Sequence, residues 1–390
     1  MARTVGPRGA LVIGGDHQGL GIVRSLGRRG IPVWVLDDEV SISAVSRYTR
    51  RRLRWPPDER RQVELLLAIA ARHRLGGWAI FPTRDETVAL LAREHDRLSA
   101  CFRLTTPPWP ITRQAYDKRL AYRLAAELGI PTPRTAYPTD RAAVEALDLT
   151  FPVILKPAIK DPFYRLTRAK AWRVDDRAEL LRRYDEAAAL VGSDGLMVQD
   201  LIPGGGEAQF SFAALCLDGR VRASLVARRA RQHPMDFGHA STFVETVERP
   251  EVEAAGERFL EAIGYTGLAE VEFKFDRRDG AYRLLDVNAR TWGWHTLGRR
   301  AGVDFPYLLW QALEGVPLER VRGRPGVRWV RMVTDVPTAL GEIRRGRLAV
   351  RDYLASIRPP IEFSVLAPDD PLPVVAELAL LPYLLWKRGF

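Results

Sequence analysis

Three segments near the start of the chain stay apolar with hardly a polar interruption: ALVIGG at 10–15, IPVWVLDD at 31–38 and WAIFPT at 78–83. A strand with one face in water alternates. A run that stays apolar is buried on both faces, and strands of that kind belong to parallel sheets covered by helices. The segments between them meet that need. GLGIVRSLGRRG has apolar residues at helical spacing and ends on Gly30, a C-cap residue, and helical stretches follow at 60–75 and from Asp85 to about 98. The alternation implies an α/β chain that opens with a parallel sheet covered by helices.

The remaining chain changes character. TTPPWPITRQAYDK (105–118) reads as a Pro-rich linker into a helix over 113–128 that Gly129 closes. FPVILKP (151–157) is a strand, 158–170 a loop or hairpin, 176–190 an amphipathic helix, and LMVQDLI (196–202) a strand running into Pro203-Gly204-Gly205-Gly206. From 207 to 290 the pattern is mostly strands, with hairpins turning at Asp218-Gly219 and Asp279-Gly280 and a helix over 250–263 between them. Helices are expected at 303–315 and near 336–345. At roughly 150 residues per domain the 390 residues make two to three domains. The composition shifts divide them as 1–112, 113–198, 199–320 and a C-terminal extension, 321–390.

Charge narrows the partners. Lys plus Arg is 59 against 48 Asp plus Glu, a net charge of +11, yet no block of five basic residues occurs and basic–aromatic interleaving is absent, so a nucleic acid is not expected. A polyanionic small ligand such as a nucleotide suits that balance. Only six of the 59 are lysine, and four of these, Lys118, Lys156, Lys160 and Lys170, fall between 118 and 170. Cys101 and Cys216 are too few for a disulfide framework or a zinc site and read as buried free thiols in a reducing compartment. The six histidines show no metal-ligand spacing. The N-terminus lacks a signal-peptide core and no run of 18 apolar residues exists, so the expectation is a cytoplasmic protein.

Two places carry chemistry. The first is the turn LVIGGDHQGLG, with glycines at 14, 15, 19 and 21 and Asp37 at the end of the next strand. It resembles a dinucleotide-binding turn but misses the G-x-G-x-x-G spacing, so it reads as NAD or FAD binding, as a tight turn without dinucleotide, or as a substrate holder at a helix start. The second is the hairpin 271–290. It offers Glu272 on one strand and Asp286 and Asn288 on the next, with alternation placing 286 and 288 on one face and Glu272 roughly opposite 286. Hard oxygen ligands in that arrangement suit Mg²⁺, which takes one or two carboxylates and completes its shell with phosphates and water. Arg290 shares the face, and Lys156 ends an apolar strand that delivers one cation into a cleft.

Taken in order, Lys118, FPVILKP, VQDLIPGGGE and LLDVNAR resemble the ATP-grasp superfamily, in particular its carboxylate–amine (or thiol) ligase branch, over roughly 10–315. The resemblance implies a Rossmann-like pre-ATP-grasp domain followed by a two-subdomain ATP-grasp fold. It implies that Lys118 and Lys156 bind the nucleotide, that Gln199, Asp200, Leu201 and Ile202 form the hinge strand whose backbone reads adenine, and that Glu207 takes the ribose hydroxyls. Glu272, Asp286 and Asn288 then match the metal ligands, for Mg²⁺ or Mn²⁺, and Arg290 the arginine beside an acyl phosphate. Two departures stand out. Asp286 replaces the usual glutamate, and the phosphate-covering loop AIKDPFYRLTRAKAW has no glycine, leaving Lys160, Arg165, Arg168 or Lys170 to supply side-chain contacts.

The implied reaction uses ATP to activate a small carboxylate as an acyl phosphate, which an amine then attacks. Arg228, Arg229 and Arg231, before Gln232-His233-Pro234 and a turn at Gly238, are candidates for a carboxylate clamp, with Arg229 and Arg231 placed at the catalytic centre. Thr291-Trp292-Gly293-Trp294-His295 reads either as an apolar wall of the acyl site or as sheet packing, and Asp16, His17 and Gln18 as substrate contacts from the first domain. The apolar end, 374–386, is expected to dock on the body, with pairing in a homodimer, or lying on a membrane with Lys387 and Arg388 at the headgroups, as alternatives. Competing functions are an NAD(P)-dependent oxidoreductase resting on the first turn and a nucleotide-binding protein of the same fold without turnover.

Overall fold

The computed structural model describes residues 8–159, 167, 169, 171–233, 235 and 240–388. The expected phosphate-loop contacts Lys160, Arg165, Arg168 and Lys170, together with Pro234 and Gly238, lie outside the described residues.

The apolar runs form the first sheet. Strands β1 (Ala10–Ile13), β2 (Val33–Asp37), β3 (Thr49–Arg54), β4 (Ala79–Pro82) and β5 (Arg103–Leu104) lie parallel in the order β3-β2-β1-β4-β5. Helices α1 (His17–Gly27), α2 (Glu59–His73), α3 (Asp85–Arg93) and α4 (His95–Ser99) cover it. Alternate residues of β1 serve opposite cores. Ala10 and Val12 pack with Ile22, Val23 and Leu26 of α1, whereas Leu11 and Ile13 pack with Leu66 and Leu90 of α2 and α3. Edge strand β3 carries Arg50, Arg51, Arg52 and Arg54 outward, a row of charge that discourages pairing with another chain. The strand order reverses between β1 and β4, and in an open parallel sheet the carboxyl ends at such a reversal are the usual place for a ligand.

One expected helix is two. Instead of a single helix over 113–128, α5 (Trp109–Tyr116) and α6 (Lys118–Glu127) meet at Asp117, whose extended backbone and side chain cap α6 at the Arg119 amide. An aspartate favours such an N-cap, and the break puts Lys118 at the first position of a new helix. The stretch expected as one helix from Asp85 to about 98 is likewise split, at Glu94.

The second sheet is antiparallel, β6 (Thr135–Ala136), β9 (Leu196–Asp200), β7 (Val153–Pro157) and β8 (Trp172–Val174) in that order, with the helix Arg177–Val191 packed on it through Leu180, Tyr184 and Ala187. The third has eight strands. Along β14-β13-β10-β11-β12-β16-β17 run Ala281–Asn288, Gly267–Asp276, Gln209–Leu217, Arg220–His233, Ala240–Val247, Arg328–Val330 and Ile361–Phe363, and β15 (Val321–Arg322) pairs with β11. The extension after 321 thus completes this sheet. The first and third sheets share one core, in which Val12 and Phe81 meet Leu215, Trp292 and Trp329.

The chain end docks on the body. Val374, Ala376 and Leu380 of the helix Leu372–Arg388 pack towards Leu20, Ile42 and Val365. Just before it, Arg24 donates to Asp370 Oδ2 (2.9 Å), to the Asp370 carbonyl (2.8 Å) and to the Val365 carbonyl (2.6 Å), and Arg28 forms a two-bonded pair with Asp369 (2.8 Å each). Among the described residues no helix is long and apolar enough to cross a membrane.

Candidate active site

The two ends of the expected site meet through α6. Lys156 lies near the end of β7, opposite Met197 of β9, and its Nζ is 3.4 Å from the Tyr122 hydroxyl and 5.8 Å from the centre of that ring. Tyr122 is one helical turn after Lys118, so both face the same way. Lys118 is buried, and its Nζ stands 2.9 Å from Asp286 Oδ1 on the late hairpin. Burial pushes the Tyr122 hydroxyl far above its usual range, so it remains protonated and donates to the Leu285 carbonyl at 2.9 Å. That carbonyl belongs to a bulge. Glu272 pairs with Asp286 but Phe273 pairs with Leu284, which leaves Leu285 as the extra residue. Nothing in the spacing of the hairpin signalled the bulge.

The register places Glu272 directly across from Asp286, and Glu270 across from Asn288. Asn288 Nδ2 donates to Glu272 Oε1 (2.8 Å) and to Glu270 Oε2 (3.0 Å), and Trp294 Nε1 donates to Glu270 Oε1 (3.1 Å). Burial, and next the neighbouring Glu272 charge, raise the Glu270 carboxyl to about 7. Glu270 went unnoticed in the sequence, although the alternation that pairs 286 with 288 also sets 270 beside 272. Among the described residues no group of three His, Cys, Asp or Glu side chains is placed to hold a metal ion by itself. The hairpin instead offers two hard carboxylates and an amide, a set that fits a magnesium ion bringing phosphate oxygens and water of its own.

The arginines divide. Arg290 donates through Nε to Asp85 Oδ1 (2.7 Å) and through Nη2 to Asp85 Oδ2 (3.1 Å), with Asn288 Oδ1 at 3.4 Å. Burial alone would lower this guanidinium, but the Asp85 charge and hydrogen bonds outweigh it and hold Arg290 above its ordinary value. Asp85 is the first residue of α3 and lies 205 residues away, so no local pattern pointed to it. Arg229 reaches the hairpin, 3.4 Å from Glu272 Oε2 and 2.8 Å from Gln209 Oε1. Arg231, expected beside it, does not. It forms a buried two-bonded pair with Asp335 (2.9 Å each) and reaches Ser356 Oγ, because a register shift between Arg229 and Arg231 disturbs the alternation. Arg228 pairs with Glu245.

The expected nucleotide end lies on β9 and just beyond. Gln199 is buried and donates to the Tyr122 hydroxyl (3.1 Å) and to Thr135 Oγ1 (2.8 Å), while the Asp200 amide donates to the Arg134 carbonyl (2.9 Å). Leu201 and Ile202 continue past the strand, with Ile202 buried. Glu207 sits in a short turn, its side chain 46% exposed, accepting from the Gly205 amide at 3.1 Å. Lys274 donates to the Gly204 carbonyl across the same rim.

The first glycine turn is filled by its own chain. The Gly15 amide donates to Asp37 Oδ2 at 2.6 Å, and Arg84 binds Asp37 and Asp38. A Cβ on Gly15 would stand 2.2 Å from Ser41 Oγ and 2.4 Å from Ser43 Oγ. Asp37, the residue that would receive a ribose in a dinucleotide site, closes the turn instead. His295 packs against Gly21 of α1, and burial holds it down at about 4, so it is neutral near pH 7. Trp292 and Trp294 are packing residues of the shared core, Trp294 adding the bond to Glu270.

A lysine-bearing antiparallel sheet thus stands near the acidic hairpin of the third sheet, with Lys118 of α6 in contact with Asp286. Residues 193–336 match a family model described as ATP-grasp in the biosynthetic pathway with Ter operon. Over that stretch the chain is similar to the ATP-grasp family. It is similar to a D-aspartate ligase of Enterococcus faecium (strain Aus0004), 27% identical over 219 residues, 53% of this chain and 51% of that protein, so it spans about half the length of that relative. Among solved structures it resembles a biotin carboxylase–β,γ-ATP complex from Campylobacter jejuni (TM-score 0.64, 16% identity, 79% of this chain and 71% of that one). It also resembles an L-amino acid ligase from Bacillus licheniformis (TM-score 0.62, 18% identity, 80% and 75%). At these identities the structural likenesses show the fold.

Proposed function

We propose that this protein is an ATP-dependent ligase that activates a carboxylate as an acyl phosphate and passes the acyl group to an amine, releasing ADP and phosphate. The observation that carries the reading is the buried contact of Lys118 with Asp286, which brings a cation of one segment onto the acidic face of another. The family match and the two ligases among the relatives support it. The self-filled first turn speaks against the NAD(P) alternative.

In this reading Lys118 and Lys156 hold the phosphates, the backbone from Gln199 to Ile202 faces adenine, and Glu207 at the exposed rim takes the ribose hydroxyls. Glu272, Asp286 and Asn288 hold Mg²⁺ or Mn²⁺, which when bound neutralises phosphate charge and polarises the transferred phosphoryl group. Arg290, fixed by Asp85, and Arg229, beside Glu272, face the negative charge that develops on the reacting oxygens. A substrate carboxylate oxygen bonds to the γ-phosphorus as the bridge to ADP breaks. The amine nitrogen then bonds to the acyl carbon, phosphate departs with its oxygen, and the amine proton goes to solvent. The chain's own contribution is positioning and charge neutralisation.

The test is ADP release from the full chain with MgATP and pooled acids and amines, pool members then being withdrawn singly. ADP release that needs both an acid and an amine is the expected result. Nucleotide binding without ADP from any pool would favour the turnover-free alternative.

A further inference from the structure

Helices α5 and α6 carry one stripe across the break at Asp117. Trp109, Arg113 and Tyr116 on α5, then Leu120 and Arg123 on α6, follow one another at alternating steps of four and three residues. That spacing keeps side chains on one helix face. On one straight helix such a stripe is convex. The extended backbone of Asp117 bends it, and the stripe lines a cavity of about 450 Å³ that Ile159 lines as well. The volume is that of a site for a small molecule.

This hollow is separate from the contacts around Asp286. Lys118, Ala121, Tyr122 and Ala125 form the buried face of α6, from which Lys118 reaches the hairpin. Leu120 is half-buried and Arg123 exposed, on the other side of the same helix. The charge of the lining is uneven, for it holds three arginines and one acid, Asp117. Asp117 is already engaged by Arg119, accepting from its amide (2.9 Å), its Nε (3.0 Å) and its Nη2 (2.6 Å). Three arginines against one aspartate leave two positive charges, and among the described residues no carboxylate pairs with Arg113 or Arg123.

We propose that this cavity binds a small aromatic carboxylic acid, its carboxylate on Arg113 and Arg123 and its ring among Trp109, Tyr116 and Leu120. Trp109 and Tyr116 stand edge to face with ring centres 5.6 Å apart, an arrangement that a third flat ring extends. Leu120 and Ile159 add apolar surface. A guanidinium fork meets a carboxylate through two parallel bonds. An inorganic anion would leave the apolar lining wet, and a neutral ring would leave both guanidiniums without a counter-charge. The acid is a ligand additional to the nucleotide and binds alongside it, so the inference goes beyond the ligase reading and does not depend on it.

The experiment uses the full chain, alone and with a nonhydrolysable ATP analogue and Mg²⁺. Benzoate and 2-naphthoate are titrated by calorimetry, with their carboxamides and inorganic phosphate as comparisons. One charge-assisted contact predicts carboxamides about 30-fold weaker than the acids, and phosphate is expected to be weaker than the acids too. The double variant Arg113→Gln, Arg123→Gln should weaken the acids by about the same factor while the affinity for the nucleotide analogue stays unchanged. Glutamine and arginine are similar helix formers, so the helices persist in that variant. Binding of neither acid overturns the proposal. So does a carboxamide or phosphate that binds as tightly as the acids, or wild-type affinity for the acids in the double variant. Acid binding that the analogue abolishes would put the acid in the nucleotide site and overturn it as well. Failure of the analogue itself to bind counts against the ligase reading alone, and the titrations of the chain without it still decide the cavity.

Discussion

The first glycine turn and the late hairpin both bury a carboxylate against a cation at a strand end, but they recruit partners differently. Asp37 is satisfied by Gly15 and Arg84, and Ser41 and Ser43 fill the space beneath the turn, all in the connections of the first sheet. The hairpin draws Lys118 from 168 residues away, while Arg290, just past its end, draws Asp85 from 205 away. A cluster whose partners are local strengthens its own domain and leaves no charge for a ligand. A cluster assembled from distant segments holds those segments in place, and a polyanion entering between them exchanges with the same charges. Buried charge by itself therefore does not mark a site.

The largest expected effect is at Asp286. Asp286→Asn keeps the shape but removes the negative charge, and ADP formation should fall by about 10²–10³-fold or more, whereas Asp37→Asn should leave the rate per folded molecule within about 3-fold. Initial rates on both purified variants test the contrast, and equal losses would break it. Next comes Glu270. Its folded-state value near 7 lies above the ordinary 4.5, so the folded chain binds more protons than the unfolded one between those values, and stability falls as pH rises through that window. Glu270→Gln should remove up to about 3 kcal/mol of that slope, read from urea unfolding of the ligand-free protein at pH 5 and pH 8. At the turn, Gly15→Ala forces a methyl into the serine hydroxyls and should cost about 1–3 kcal/mol of stability, while the nucleotide affinity of the folded fraction stays unchanged. A lost affinity there would mean that the turn serves the ligand after all. Smallest is Lys156→Ala, expected to weaken nucleotide binding about 10-fold, with calorimetry as the check and an unchanged dissociation constant as the contrary result.

The parallel sheet was readable because its strands are apolar throughout and their helices amphipathic, both local properties. The face shared by Glu272, Asp286 and Asn288 was readable from alternation, and the split at Asp117 was readable in principle from N-cap chemistry but was masked by continuous helical periodicity. Arg231 escaped because a bulge interrupts alternation between 229 and 231, and bulges are set by the partner strand. Asp85 and Tyr122 act through contacts made only once the chain has folded. The helix start at Asp85 and the one-turn spacing of Tyr122 from Lys118 identify candidates, but do not say what stands opposite them.

The clasp on Arg24 ties the beginning of the chain to its end. This guanidinium lies on the first helix, and its three acceptors are Asp370 Oδ2 and the carbonyls of Val365 and Asp370. On a ribosome the opening strands and helices emerge first, but at about 5–20 residues per second the tail follows only after a wait on the order of tens of seconds. Until then the nascent first domain carries a cation that must stay wet, so its inner face cannot seal. Synthesis order and closure order therefore run opposite ways, and a chain halted before residue 365 would leave the Arg24 guanidinium without these three acceptors.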